Sequence, residues 1–218
     1  MDSHLGVLRR VAKVLILVGL VDIGYMIYCV VNGRGYSSSL NIFAVIAGIF
    51  LWRGHLGAVR IVSRFAAFML TGAVGTLIFL LPTLQPAGLW LLQFKLYPVR
   101  TISGLIIGVV MLWLLFWVYQ QLRASSVVHA LGRAGQPTAP PRSAFAIGAA
   151  LPVLMAVIFH FVLGGGASFK AIELAKAEYG DEYQYSTNSI NWSGSHVSAS
   201  LTAYNEHEIK TVAVEWSN

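Results

Sequence analysis

Asp22 is the residue whose type and position could most readily do chemistry, because it is an acid inside a long apolar run. An aspartate at the centre of a membrane-spanning helix costs about 2.5–3.5 kcal/mol to insert, and such residues usually have a function. Tyr25 lies on the same helical face and could donate a hydrogen bond to Asp22. Proton or cation transport would use such an acid. The alternatives are an Asp22 that locks helix packing and an Asp22 that contacts a partner protein.

The other titratable residues form no set that predicts an enzyme. His160 lies near the outer end of the last apolar run, about two helical turns from the depth of Asp22, and is interpreted as an interfacial residue. His196 and Ser193 match no known triad spacing. Neighbours on a strand point to opposite faces, so the acids of 206–208 do not predict a metal site. We therefore predict no catalytic residue, no metal and no cofactor.

A basic patch is predicted from Arg53, Arg60 and Arg64, whose spacings of seven and four place them on one helical face. Such a patch could face anionic lipid or bind phosphate. The alternative is that these arginines only orient the protein in the membrane, with their side chains reaching to the headgroups. The sequence favours this second interpretation.

The composition changes abruptly at Gly164–Gly166. Residues 1–163 carry 12 Lys and Arg and two acids, whereas residues 167–218 carry three Lys and seven acids. Hydrophobic residues make up 56% of the chain and charged residues 11%, against about 45–50% and 25% in soluble domains. The basic residues stand at the ends of apolar runs, which argues against nucleic-acid binding. The first part is therefore predicted to be a membrane domain, and Gly164–Gly166 a linker to an aqueous module.

Five apolar segments predict a five-helix transmembrane domain, each segment close to the roughly 20 residues that cross a bilayer. The predicted spans are 14–31, 37–52, 65–81, 101–120 and 144–163, of which the second is the shortest. With the N-terminus in the cytoplasm, nine basic residues lie on the inner side and three on the outer side, as the positive-inside rule requires. An odd number of spans then places the C-terminus outside. A bacterial inner membrane, with residues 167–218 in the periplasm, is the predicted location.

Two connections have their own predictions. The outer segment from Pro82 to Pro98 is apolar but too short to span, so it is expected to lie in the membrane interface. The inner linker Ala124–Arg142 is rich in proline and is expected to be a mobile tether. Small residues four apart, such as Ala44 and Gly48, predict close contacts between helices.

Residues 167–218 predict a small α+β module. Ser168 is expected to cap a helix over 169–179, and alternating residues predict an antiparallel meander of strands at 183–191, 196–204 and 208–216. About 50 residues make a marginal core, so outer loops, a second copy or another protein are expected to stabilise it. Both outer strands would be open edges. The candidate partner-binding residues are Trp192, Tyr204, Val212, Val214 and Trp216.

These features together predict a non-enzymatic membrane subunit or assembly factor that contacts lipid. It is expected to dock another membrane protein, or a second copy of itself, through its outer module and its helix bundle. The alternative is a small oligomeric transporter or channel that uses Asp22. The small outer module with its two open sheet edges supports the first hypothesis, and the intramembrane Asp22 supports the second.

Overall fold

The computed structural model describes residues 4–36 and 41–217 of the chain. Within them the protein is mostly helical and ends in a three-stranded antiparallel sheet. The elements are α1 His4–Val31, α2 Asn41–Trp52, α3 Leu56–Gly75, a π-helical turn Thr76–Leu80, α4 Leu81–Leu84, α5 Ala87–Leu96, α6 Pro98–Leu122, α7 Ser125–Arg133, α8 Arg142–Leu163, α9 Gly166–Tyr179, β1 Gln184–Ser193, β2 His196–Tyr204 and β3 Ile209–Ser217.

Four helical segments of the described chain are long and apolar enough to cross a membrane, as in a multi-pass membrane protein. They are α1, the continuous segment Leu56–Leu84, α6 and α8. Each contains one of the predicted spans and extends beyond it. The predicted span 37–52 is different, because residues 37–40 lie outside the described residues and α2 has only 12 residues. At 1.5 Å per residue α2 is about 18 Å long, shorter than the hydrocarbon layer of about 30 Å.

The chain divides into two compact units, Met1–Leu70 with Met111–Ala146 and Thr71–Val110 with Ile147–Asn218. In the first unit, α1 and α2 pack in antiparallel directions, since Gly48 of α2 lies against Ala12 and Ile16 of α1 whereas Gly54, just after α2, lies against Leu5. A Cβ atom at Gly48 would lie 3.0 Å from the carbonyl oxygen of Ala12. Glycine therefore permits the two backbones to approach, as the small-residue spacing of Ala44 and Gly48 predicted.

The core of the first unit is formed by residues from one end of each of several helices. Its buried members include Leu8, Leu51, Val59, Leu122 and Val127. The last of these belongs to α7, inside the segment predicted to be a mobile tether. That prediction was wrong for residues 125–133, because Val127, Ala130 and Leu131 follow one helical face and are buried. An amphipathic helix therefore occupies half of the inner linker.

In the second unit, small residues again mark the contact between long helices. Gly75 packs against the ring of Pro152, and Gly72 lies near the carbonyl oxygen of Gly148. Pro152 is buried inside α8, so its ring fills the space that Gly75 leaves open. The π-helical turn Thr76–Leu80 follows this contact directly.

The C-terminal module is the predicted helix packed on the predicted meander, with sheet order β1-β2-β3. Ala171 and Ala175 of α9 pack on Leu201, Val212 and Val214 of the sheet. The cap prediction was wrong: α9 begins at Gly166 without a side-chain cap. The Ser168 hydroxyl instead lies 2.7 Å from that of Thr187, in a buried hydrogen bond between helix and sheet.

The packing of α1 on α2 generates a testable prediction. Gly48→Ala places a Cβ atom 2.6 Å from Ile16 Cγ1 and 3.0 Å from Ala12 O, and overpacking of this kind costs about 1–3 kcal/mol. We expect a lower midpoint of thermal unfolding in detergent. Gly24→Ala is the matched control, because no atom outside its own helix backbone and chain neighbours lies within 4 Å of that Cβ position. Equal midpoints for the two variants would contradict the described contact.

Candidate functional site

Of the five candidate partner-binding residues, three are part of the protein's own core. Val212 and Val214 face α9 and are buried. Tyr204 is 7% exposed and packs on Leu89 and Leu92 of α5. The alternation of residues along β2 and β3 identified these side chains as one face, but α9 and α5 cover that face. The prediction that they form a free docking surface was therefore wrong.

The contact between Tyr204 and α5 also explains how the small module is held. Leu89, Leu92 and Tyr204 form a buried cluster, against which Leu96 and Ile209 pack. The segment between Pro82 and Pro98 thus contains a ten-residue helix that contacts the turn end of the β2–β3 hairpin. An outer loop stabilising the module was one of the possibilities that its small size suggested.

Trp192 is the candidate that remains accessible, with 52% of its surface exposed. It pairs across the sheet with Val197, which in turn pairs with Trp216. Cross-strand partners share a face, so the three side chains form a row at the β1–β2 hairpin end. Trp216 is partly covered, since the Lys170 amine lies 5.8 Å from the centre of its ring. Trp192 is left as the exposed end of this row.

Both outer strands of the sheet are edges, as predicted, and each carries a feature that opposes strand addition. In β1 the register shifts between Thr187 and Ser189, which marks a bulge. At the start of β3, the Lys210 amine lies 3.7 Å from the centre of the Tyr183 ring and 3.7 Å from the Glu208 carboxylate. Its contact with Tyr183, and after that the Glu208 charge, raise the pKa of Lys210. Lys210 of the edge strand β3 therefore points inward over the sheet, and an inward-pointing charge is one of the features that protect a sheet edge.

Asp22 and Tyr25 lie on α1, in the first unit. Tyr25 is exposed, and its ring lies 6.5 Å from that of Tyr28 and 6.2 Å from that of Tyr36. Asp22 is half-buried. Gly48 lies opposite residues 12–16, and both helices rise 1.5 Å per residue. Because the helices are antiparallel, the first turn of α2 therefore lies at the same level as Asp22. The N-terminal end of a helix carries partial positive charge, which stabilises a carboxylate nearby.

His160 lies in the second unit, in a shallow groove between the π-helical region and α8. The groove has a volume of about 310 Å³ and is lined mainly by apolar side chains, among them Phe79, Val153 and Phe161. The His160 ring meets that of Phe161 edge to face at 6.0 Å. Within the described residues, no three His, Cys, Asp or Glu side chains lie close enough together to hold a metal ion.

The predicted basic patch is divided by a turn. After α2, Gly54 adopts a positive φ of 77°, and the amide of His55 donates to the carbonyl of Phe50 at 3.1 Å. This is the Schellman geometry that ends a helix at glycine. Arg53 therefore precedes the turn, whereas Arg60 and Arg64 lie together on α3. The prediction of one helical face for all three arginines was wrong for this reason.

Arg60 and Arg64 line a cleft in the first unit with two further arginines, Arg123 after α6 and Arg142 at the start of α8. The cleft has a volume of about 260 Å³ and includes Ser63. Its outer wall is the chain around Pro140, and the Arg123 Nη1 group donates a 3.4 Å hydrogen bond to the Ala139 carbonyl. These residues therefore form a strongly basic, partly enclosed site.

Ser63 is the residue of this cleft that the sequence alone did not single out. It is 6% exposed, and its hydroxyl oxygen is buried without a hydrogen-bond partner in the described structure. The helical spacing could have identified it, because Ser63 lies between Arg60 and Arg64 on the same face of α3. Arg123 and Arg142 were assigned only to membrane orientation, since their approach to α3 depends on how α6, α7 and α8 pack.

Burial of Tyr204 generates a prediction about alkaline pH. Burial raises the pKa of Tyr204, so the folded module keeps the phenol neutral at a pH where the unfolded chain ionises, above about 10. The stability contributed is complete below that pH and is lost as the pH rises towards the folded-state pKa. Tyr204→Phe keeps the packing and cannot ionise.

The measurement is urea unfolding of the whole protein in detergent, followed by near-ultraviolet circular dichroism from pH 8 to pH 11, a range that brackets the ordinary tyrosine pKa of about 10. We expect the stability of the natural protein to fall more steeply above pH 10 than that of Tyr204→Phe. Parallel curves for the two proteins would show that Tyr204 is not buried against α5.

No protein-family model, curated protein or solved structure was found to match this chain. Its function must therefore be inferred from its residues and their geometry. Two sites stand out: the exposed Trp192 at the end of the C-terminal sheet, and the arginine-lined cleft beside Ser63.

Proposed function

We propose that this protein is a non-enzymatic membrane subunit or assembly factor that docks another membrane protein through its C-terminal module. The observation that carries the proposal is the half-exposed Trp192 on an ordered strand. Tryptophan is enriched among the few residues that dominate binding energy at protein interfaces. A partner that covers this ring would remove a large apolar surface from water.

The position of Trp192 supports binding to a part of the partner that lies outside the membrane. Trp192 pairs with Val197, and Tyr204, the residue that contacts α5, lies at the other end of β2. Val197 and Tyr204 are seven positions apart along β2, or about 23 Å. Because α5 is expected to lie in the membrane interface, it cannot cover the end of the sheet that carries Trp192.

The bulge in β1 and Lys210 on β3 bear on the mode of docking. Both features oppose the addition of a strand from a partner to an open sheet edge. We therefore propose that the partner binds the hairpin end of the sheet, with Trp192 inserted into an apolar pocket of the partner. Ser193 and Gly194 of the adjoining turn would lie at the rim of such an interface.

The proposed topology has five spans, with the N-terminus inside and the C-terminal module outside, in a bacterial inner membrane. The antiparallel packing of α2 on α1 supports it, because α2 returns the chain to the end of α1 where Leu8 meets Leu51. The nine basic residues on the proposed inner side support the same orientation.

Transport through Asp22 is the alternative, and it has less support. The register of α1 and α2 brings Asp22 level with the positive end of α2. A carboxylate placed there stabilises the packing of the two helices. This stabilisation explains a structural role for Asp22, whereas transport does not require it. The docking proposal rests on Trp192 and does not depend on the role of Asp22.

The docking proposal predicts position-dependent crosslinking. A photoreactive phenylalanine analogue at Trp192, in native membranes, is expected to give a discrete crosslinked product. The same analogue at Glu178, an exposed residue of α9, is the control and is expected to give little. Trp192→Ala should lower partner affinity by about tenfold or more, as loss of an interface hot spot does. Equal crosslinking at both positions, or none at Trp192, would contradict the proposal.

The topology predicts which residues a membrane-impermeant maleimide can label. In a Cys29→Ala background, Ser195→Cys in the module turn should be labelled in intact spheroplasts, and Ala134→Cys after α7 should be labelled only after lysis. Five spans place these two positions on opposite sides, with Ser195 outside. If α2 does not cross, the pattern reverses, because four spans from a cytoplasmic N-terminus bring Ala134 outside and Ser195 inside.

A further inference from the structure

We propose that the cleft formed by α3, the end of α6 and the start of α8 binds a phosphate-bearing anion. Four arginines line it: Arg60, Arg64, Arg123 and Arg142. Arginine is the side chain best suited to phosphate, because its planar guanidinium donates paired hydrogen bonds to two oxygens. This site is separate from the docking surface around Trp192, and the proposal does not depend on it.

The sequence leaves these arginines without acids nearby along the chain. No Asp or Glu occurs between Asp22 and Glu173, and none of the side chains that line the cleft is acidic. Four positive charges around one small space repel one another, more strongly where protein limits the access of water. A bound anion would replace this repulsion with attraction. An acidic side chain would serve the same purpose in a site that was only structural.

Ser63 adds an independent sign of a ligand. Its hydroxyl is buried without a partner, although it lies among groups that bind anions. Burial of a hydroxyl that forms no hydrogen bond is unfavourable, and most such groups in proteins are satisfied. A phosphate oxygen in the cleft would accept a hydrogen bond from the Ser63 hydroxyl. The same anion would then satisfy both Ser63 and the guanidinium groups of Arg60 and Arg64.

The start of α8 supplies further positive character. Arg142 and Ser143 form its first turn and both line the cleft. The amides of Arg142 and Ala144 already donate to the carbonyls of Pro140 and Pro141, so α8 contributes through the partial positive charge of its N-terminal end and not through free amides. Pro140 and Pro141 precede this turn and restrict the backbone of the wall. The anion would therefore meet a largely preformed site.

The size of the cleft limits the ligand. Its volume of about 260 Å³ is slightly below the roughly 300–1,000 Å³ of sites for drug-sized ligands. It suits a phosphate group with a few further atoms. Two sources share this chemistry: the headgroup of an anionic phospholipid and free phosphate. In the proposed topology the cleft lies on the inner side of the membrane, where anionic headgroups are available.

The test compares three variants of the full-length protein in nanodiscs. The double variant Arg60→Gln/Arg123→Gln removes two cleft charges from different elements. The control Arg53→Gln/Arg133→Gln removes two charges outside the cleft, so that overall charge is matched. Ser63→Ala removes the buried hydroxyl alone. Far-ultraviolet circular dichroism checks that each variant is folded.

Thermal unfolding reports binding, because a ligand of the folded state raises the midpoint. The first probe is inorganic phosphate, compared with chloride at equal ionic strength. The second is the lipid: nanodiscs of phosphatidylcholine alone, or of phosphatidylcholine and phosphatidylglycerol in equal amounts. A rise with inorganic phosphate identifies a site for free phosphate, and a rise with phosphatidylglycerol alone identifies a headgroup site.

We expect the natural protein and the charge-matched control to show the same rise. The Arg60→Gln/Arg123→Gln variant should lose it, since a charge-assisted hydrogen bond corresponds to about tenfold or more in affinity. Ser63→Ala should bind several-fold more weakly without losing stability when no anion is present. The proposal is overturned if neither probe raises the midpoint. It is also overturned if the two double variants respond alike, because bulk charge would then explain the effect.

Discussion

The absence of acids from residues 23–172 constrains most of this protein. Asp22 of α1 is the one acid in the four membrane-length helical segments of the described chain, so few ion pairs can join these segments. Charged groups are costly in hydrocarbon, so the basic residues collect at the ends of the helices. At one end they converge on the cleft that Ser63 lines. The proposed topology and the proposed anion site are therefore two consequences of one charge distribution.

With a single acid among them, these helices hold together mainly through shape. Gly48 admits the backbone of α1 against α2, and Gly75 admits the ring of Pro152. Lipid and leucine are equally apolar, so helix association in a membrane depends on this close packing more than on burial of apolar surface. Many large apolar side chains of α6, such as Ile106 and Val109, are accordingly exposed in the protein alone. Lipid, or another membrane protein, is the natural cover for them.

The sequence predicted the elements better than the surfaces that they bury. Long apolar runs predicted the membrane-length helices, and the alternation along 196–204 predicted β2 with its observed bounds. Helix α7 was missed because prolines dominate its linker, although Val127, Ala130 and Leu131 are spaced along one helical face. The burial of Tyr204 could not be predicted, because it depends on α5, a segment distant along the chain. Periodicity identifies a face but not what covers it.

The contact with α5 changes where a partner can bind. A module of about 50 residues has a small core, and here α9 covers one part of the apolar sheet face while α5 covers Tyr204 at the end. Both covers come from this chain, so a partner is not needed to complete the fold. What remains accessible is the opposite end of the sheet, where Trp192 lies beyond Val197. An exposed tryptophan there contributes little to the module itself. Its exposure is explained if its ring is covered by a second protein.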